Sequence, residues 1–91
     1  MRVSIKAFAT FRNVLGKERL VEIAEGEDIT DLLNALCNSF GGLRDLLFDD
    51  SGLKDDVNIL VNGRNIQALN GVQTKLADGD ELALFPAAIG G

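Results

Sequence analysis

The groups in this chain that could do chemistry are few, and the first of them lies at the end of the backbone. The sequence finishes with Gly90 and Gly91, which leaves a carboxylate on a residue that has no side chain. Histidine is absent, so the usual proton shuttle at neutral pH and the commonest metal ligand are missing. We therefore take the Gly91 carboxylate as the candidate reactive group, and we expect the domain not to be catalytic alone.

The other candidate reactive residues have structural interpretations. Cys37, the only cysteine, falls at helical spacing with Leu33, Leu36 and Phe40, where cysteine behaves as a small buried hydrophobe. The aspartates between residues 49 and 56 lack the regular alternation and the final glutamate of a calcium-binding EF-hand loop. We expect a solvated loop there and no metal site. A lone cysteine also permits no internal disulfide, which is compatible with a reducing compartment.

Composition limits the class of protein. Ninety-one residues with 46% hydrophobic content are enough for one domain with a modest core. Nine basic residues are scattered among fourteen acidic ones, for a net charge of -5, and they form no basic stripe that would bind a nucleic acid. The sequence shows no apolar segment of about 18 to 20 residues and no charged leader. We expect a cytoplasmic protein with no nucleic-acid or membrane partner.

Hydrophobic periodicity predicts the first two strands and the main helix. Val3, Ile5 and Ala7 alternate with polar residues, and residues 19–23 form a second strand, reached through a turn over residues 10–15. The period then changes to three and four residues, which predicts one helix of about three turns behind Asp28 as N-cap. The apolar positions of this helix are Ile29, Leu32, Leu33, Leu36, Cys37 and Phe40, with Asp31 in the first turn and Gly41-Gly42 at the end.

The second half of the chain predicts shorter elements. Leu43, Leu46 and Leu47 indicate a helical turn, followed by an acidic loop. Alternation resumes at residues 57–61, and Asn62-Gly63 is typical of a type I′ turn leading to a short strand over residues 64–67. After an irregular stretch, the Asp78-Gly79-Asp80 turn opens the last strand, residues 81–85. Pro86 cannot continue this strand, so we expect a domain over residues 1–86 and a flexible tail over residues 87–91.

This order of elements predicts an α+β fold. One long helix can cross one face of a mixed sheet of four or five strands, which is the layout of a ubiquitin-like β-grasp domain. On strand alternation, we expect Phe8, Leu60 and Phe85 to face away from the core and to form an apolar patch near the tail, where a partner protein would dock.

Several motifs resemble the MoaD/ThiS family of ubiquitin-like sulfur carriers over essentially the whole chain. They are Phe8-Ala9-Thr10-Phe11-Arg12, Asp31-Leu32-Leu33, Val61-Asn62-Gly63, the run from Leu76 to Pro86, and Gly90-Gly91. Within this family, the chain is most similar to MoaD and the small archaeal modifier proteins. Ala87 departs from the pattern, because many MoaD-like chains have a second proline there.

The resemblance implies how Gly91 would be used. A ubiquitin-activating-like adenylating enzyme would consume ATP to adenylate its carboxylate, and sulfur would then convert it to a thiocarboxylate. The carrier itself would bind no cofactor. As the small subunit of a molybdopterin synthase-type complex, it would donate this sulfur inside the large subunit. Residues Ala87, Ala88, Ile89 and Gly90 would thread the terminus into the partner, and glycine without Cβ suits a narrow channel.

Two alternatives remain open at this stage. The chain could be a protein modifier whose activated Gly91 is joined to substrate lysines by isopeptide bonds. It could also be a noncovalent β-grasp adaptor in which the glycines are an idle end. The first alternative shares the activation step with the sulfur carrier and differs only in the final acceptor.

Overall fold

The computed structural model describes residues 1–86 of the 91-residue chain. The predicted tail, residues 87–91, lies outside the described residues, and with it lies Gly91. The predicted domain boundary after Pro86 therefore stays a prediction.

The chain begins with an antiparallel hairpin of β1 (Arg2–Ala7) and β2 (Glu18–Glu22), as the alternation predicts. The predicted turn between them is wrong in one respect, because residues Thr10–Leu15 form a short helix, α1. Phe11 and Leu15 are four residues apart and both are buried. Because positions i and i+4 share one face of a helix, this turn of helix closes one end of the core.

The main helix, α2 (Ile29–Ser39), confirms the predicted N-cap and adds a reciprocal bond. The Asp28 carboxylate accepts a hydrogen bond from the Asp31 N–H, and the Asp31 carboxylate accepts one from the Asp28 N–H, both at 3.0 Å. This capping box satisfies two backbone donors that a helix start leaves unpaired. No helix in residues 1–86 is long and apolar enough to span a bilayer.

The middle of the chain contains more structure than predicted. The helical turn is present as α3 (Leu43–Leu47). The predicted acidic loop contains a small antiparallel pair of strands, β3 (Phe48–Asp49) and β4 (Gly52–Leu53). The Asp49 carboxylate accepts a hydrogen bond from the Ser51 N–H at 2.8 Å, which tightens the turn between these strands.

The second hairpin joins β5 (Asn58–Val61) to β6 (Arg64–Asn65). Asn62 and Gly63 have φ angles of 52° and 84°, which confirms a turn with two left-handed residues. The strand after it is shorter than predicted, because residues Ile66–Ala68 form a 3₁₀ turn in which the Asn65 side chain accepts a hydrogen bond from the Gln67 N–H. A second 3₁₀ turn follows at Gly71–Gln73, and β7 runs over Glu81–Phe85.

Apart from the small β3–β4 pair, the strands form one mixed sheet of five in the order β2-β1-β7-β5-β6. The central strand, β7, is parallel to β1, and the other neighbouring pairs are antiparallel. The core lies on the face covered by α2, where Ile5, Leu33 and Leu82 are among the fully buried residues. The buried side chains of residues 1–86 are all apolar. This arrangement confirms the α+β, β-grasp prediction.

Candidate functional site

The five residues that the sequence assigns to the tail, Ala87, Ala88, Ile89, Gly90 and Gly91, are outside the described part of the chain. The structure does describe the strand that leads to them. β7 is paired along one edge with β1 and along the other with β5. Leu84 lies between Ala7 and Ile59, and the last residue of the strand, Phe85, lies opposite Asn58 on β5. The point from which residue 87 continues is therefore fixed relative to the sheet.

An aromatic stack lies at this exit. The Phe8 and Phe85 rings are nearly parallel, with an interplanar angle of 7° and centroids 4.3 Å apart. The Phe8 N–H donates to the Leu84 carbonyl at 3.1 Å, which extends the β1–β7 ladder beyond the end of β1. Stacked aromatic pairs stabilise their contact by about 0.5–1.5 kcal/mol beyond burial, so Phe8 helps to anchor the end of β7.

All three residues of the predicted apolar patch, Phe8, Leu60 and Phe85, lie on the sheet face opposite the core. Their neighbours in sequence, Ala7, Ile59 and Leu84, are buried, and the three themselves are half-buried. Leu60 pairs with Ala83 across β5 and β7, and Ala83 pairs with Lys6 on β1. The patch thus runs from Leu60 past Ala83 to the stacked rings of Phe8 and Phe85 at the end of β7, with the charged Lys6 beside it.

Three basic side chains surround the patch at Phe8, and the sequence analysis did not identify them. Lys6, Arg12 and Lys17 line a hollow of about 240 Å³ together with Phe8 and Glu18. The Arg12 guanidinium lies 5.5 Å from the Phe8 ring centroid, and its Nε donates to the Ala7 carbonyl at 3.1 Å. Alternation places Lys6 on this face, but Arg12 reaches it only because α1 replaces the predicted turn. The protein is acidic overall, so this is a local reversal of charge.

Cys37 lies on α2, away from this surface, and packs against the core as a half-buried residue. Burial raises the pKa of its thiol, and the positive charge of Arg44 partly opposes the shift by favouring the thiolate. A raised pKa is the opposite of what a nucleophilic cysteine needs. Among residues 1–86, no three acidic or cysteine side chains are grouped as metal ligands would be.

Comparison with known proteins identifies the family to which the chain is similar. The ThiS family model matches residues 5–91. Small archaeal modifier protein 3 from Haloferax volcanii is 36% identical to the chain, and the alignment covers all of both proteins. Sulfur carrier protein CysO from Mycobacterium tuberculosis is 30% identical, again over the full length of both.

Solved structures that are similar to this chain in sequence also have the same fold. The crystal structure of SAMP1 from Haloferax volcanii has a TM-score of 0.85 at 33% identity, with complete coverage of both chains. A Pyrococcus furiosus protein proposed to be molybdopterin converting factor, subunit 1, has a TM-score of 0.78 at 31% identity and covers 97% of this chain and 99% of its own. The chain therefore belongs to the ThiS family of ubiquitin-like sulfur carriers and modifiers.

Proposed function

We propose that this protein is a sulfur carrier whose Gly91 carboxylate is adenylated, converted to a thiocarboxylate, and used as the sulfur donor in molybdopterin biosynthesis. The observation that carries the proposal is the doubly paired strand β7, which ends at Phe85, directly before Pro86 and a few residues before Gly90-Gly91. The family match extends through residue 91, which supports assigning the function to this end of the chain.

The chemistry follows from the weakness of a carboxylate as an acyl donor. Attack of the Gly91 carboxylate on the α-phosphate of ATP forms an acyl adenylate and releases pyrophosphate. A hydrosulfide then attacks the carbonyl carbon, so that a C–S bond forms and the C–O bond to AMP breaks. If the sulfur arrives as a persulfide, a further thiol must break the S–S bond and leave as a disulfide. The product is a thiocarboxylate, which is nucleophilic in the way that a thiolate is.

Activation requires the terminus to enter an enzyme while the folded domain stays outside. Five residues can extend about 17 Å, which is enough to reach from Pro86 into a buried active site. The apolar patch of Phe8, Leu60 and Phe85 surrounds the origin of this segment, and we assign it as the docking surface of the adenylating enzyme. ATP is bound and consumed by that enzyme.

The acceptor in the leading proposal is the large subunit of a molybdopterin synthase, which would take up the loaded terminus. The resemblance to the Pyrococcus furiosus converting-factor protein supports this choice, because the likeness extends over nearly the whole of both chains. In such a complex, this chain supplies the sulfur and the larger partner supplies the catalytic side chains.

A second function, protein modification, is favoured by a different relative. The 36% identity to small archaeal modifier protein 3 extends over the full length of both chains. In this case, the activated Gly91 carbonyl is attacked by a lysine amine of a substrate protein, and an isopeptide bond forms as the leaving group departs. The two functions share the terminus and the activation step, so one chain can serve both.

Intact-mass analysis of the protein isolated from its native cells separates these functions. A sulfur carrier yields a population in which one terminal oxygen is replaced by sulfur. A modifier yields conjugates in which trypsin leaves the segment from Leu76 to Gly91 on substrate lysines, because Lys75 is the last basic residue of the chain. Finding neither species in cells that make molybdopterin would contradict both assignments and favour a noncovalent adaptor.

Substitution of Gly91 tests the role of the terminus directly. We expect Gly91→Ala, or deletion of Gly91, to leave the unfolding free energy unchanged but to abolish thiocarboxylate formation by the activating enzyme and a sulfur source, measured by mass spectrometry. Gly41→Ala is the matched control, because Gly41 is exposed and a methyl group there meets no heavy atom within 4 Å. Normal loading of the Gly91 variants would refute the assignment.

A further inference from the structure

Strand β2 forms one edge of the sheet, and no strand within residues 1–86 pairs with its outer side. Its pairing with β1 is regular over five consecutive residues, from Arg2 opposite Glu22 to Lys6 opposite Glu18. The strand contains no proline and shows no bulge in this register. The opposite edge differs, because β6 has only two residues before a 3₁₀ turn begins. Of the two edges, β2 is therefore the one that is not shortened or distorted.

The hydrogen bonds that flank β2 establish which backbone groups point outward. The Ile23 N–H donates to the Met1 carbonyl at 2.9 Å, and the Ala7 N–H donates to the Lys17 carbonyl at 3.1 Å. In an antiparallel ladder, residues that bond to the partner alternate with residues whose N–H and C=O point away. The odd-numbered residues of β2 therefore face β1, and the even-numbered ones, Glu18, Leu20 and Glu22, direct their N–H and C=O groups to the outside.

The same three residues give this edge a distinctive side-chain pattern. Leu20 is 66% exposed, and among residues 1–86 it is the most exposed large hydrophobic residue. Glu18 and Glu22 flank it on the same face and are exposed. Arg19 projects to the other face, where its guanidinium lies 4.6 Å from the Phe40 ring centroid and its Nε donates to the Leu15 carbonyl. Along the sheet face opposite the core, β2 therefore presents an acidic side chain at Glu18, an apolar one at Leu20 and an acidic one at Glu22.

A second copy of the chain is a poor occupant of this edge. An antiparallel pair of β2 strands centred on Leu20 would place Glu18 of each copy opposite Glu22 of the other. Two pairs of like charges would then lie directly across from each other, which is destabilising in a sheet. Arg2 offsets one member of each pair through its 3.0 Å contact with Glu22, whereas Lys6, which lies opposite Glu18, directs its ammonium to Glu81 at 3.4 Å. Charge complementarity instead favours a strand with basic residues on both sides of an apolar one.

We propose that the free edge of β2 is a noncovalent binding site for an extended segment of a partner protein with the pattern basic, any, apolar, any, basic. The segment adds a strand to the sheet through the outward backbone groups of Glu18, Leu20 and Glu22. Its apolar side chain lies opposite Leu20, beside a hollow of about 470 Å³ that Leu20 lines with Arg2 and Ser4. Its basic side chains lie opposite the two glutamates.

This binding does not use Gly91 and therefore goes beyond the proposed function. β2 is separated from β7 by β1, so an added strand extends the sheet away from the exit of the tail. A partner other than the adenylating enzyme could then hold the protein by this edge while the terminus is being transferred or conjugated. The net charge of -5 would also speed the approach of a basic segment, with a rate that falls as salt is added.

A short peptide provides the test. The probe is an acetylated and amidated seven-residue peptide with isoleucine at its centre, lysine two positions away on each side, and threonine elsewhere. We expect millimolar additions to the ¹⁵N-labelled full chain to cause saturable shifts of the Glu18, Leu20 and Glu22 amide signals in NMR spectra and to slow their hydrogen exchange. A peptide with glutamates in place of the lysines should bind about tenfold more weakly.

Matched variants of the protein separate recognition from general charge attraction. Glu18→Lys should weaken the lysine peptide several-fold and improve the glutamate peptide. Glu25→Lys changes the net charge equally at an exposed position outside β2 and should leave both affinities nearly unchanged. Shifts centred on Phe8, Leu60 and Phe85, or no saturable shift at all, would overturn the proposal. So would a dimer in sedimentation experiments that Leu20→Ser dissolves, because the edge would then bind a second copy.

Discussion

At the scale of single residues, one of the two candidate reactive groups, Cys37, lies in the described part of the chain. Cys37 is half-buried on the core side of α2, where burial raises the pKa of its thiol. Gly91 lies outside the described residues, six positions after the end of β7, and it has no side chain. The helical spacing of Cys37 with Leu33 and Leu36 was enough to predict its structural role, because a single periodicity determines which face a helical residue occupies.

The raised pKa of Cys37 has a measurable consequence. Only the thiolate reacts with iodoacetamide, so at a given pH a raised pKa leaves a smaller reactive fraction. We expect the pH midpoint of Cys37 alkylation to be higher in the folded protein than in the chain unfolded in urea, as followed by mass spectrometry. Cys37→Ser should leave the loading of Gly91 with sulfur intact. A lower midpoint in the folded state, or loss of loading in this variant, would point to a direct role of the thiol.

At the scale of elements, the turn after β5 does more than reverse the chain. The Asn62 side chain donates to the Asp80 carboxylate and accepts from the Glu81 N–H, both at 2.9 Å. The Asn62 backbone N–H also donates to the Glu81 carbonyl at 2.8 Å. The turn therefore fastens the first residue of β7, the strand whose other end leads to the tail. The Asn-Gly signal predicted the turn, but these bonds to a distant strand depend on the assembled sheet.

Glycine substitutions test this turn. Gly63 has a φ of 84°, so Gly63→Ala should lower the free energy of unfolding by about 1–2 kcal/mol, because a Cβ is unfavourable in the left-handed region. A methyl group meets no heavy atom within 4 Å at either Gly63 or Gly41, and only Gly63 has a left-handed φ. Gly41→Ala should therefore stay within about 1 kcal/mol of wild type in urea titrations. Equal effects of both substitutions would show that backbone strain is not the cause.

At the scale of the whole molecule, the two faces of the sheet differ in what they carry. One face is sealed by α2 and contains only apolar buried residues within residues 1–86. The other carries the patch of Phe8, Leu60 and Phe85, with Lys6 and Arg12 beside it. A partner that docks on this face would therefore meet an apolar centre and a basic margin, and the tail would leave from the edge of the contact.

Polar substitutions of the patch test this docking surface. We expect the Leu60→Ser, Phe85→Ser double variant to bind the adenylating enzyme at least about tenfold more weakly in calorimetry, because apolar anchors dominate such contacts. The single Leu60→Ser variant should show part of this loss without disturbing the Phe8–Phe85 stack. Leu20→Ser removes an exposed apolar side chain from the same face outside the patch and should have little effect. Undiminished binding by the folded double variant would exclude the patch as the docking site.

The sequence by itself determined the features that depend on local periodicity and backbone preference. Alternation identified β1, helical spacing and Asp28 identified α2, and Asn62-Gly63 identified the second hairpin. It also placed Phe8, Leu60 and Phe85 on the face opposite the core. The short helix α1 was missed, because two apolar residues four positions apart, Phe11 and Leu15, are too few to establish a helical period.

Only the tertiary structure decided which of these residues meet. Phe8 and Phe85 lie near opposite ends of the chain, and they stack because β1 and β7 pair in parallel at the centre of the sheet. The same pairing leaves β2 at an edge with the backbone of Leu20 directed outward. Local sequence cannot determine such contacts, because strand order and register are chosen by how the whole set of apolar faces is buried together.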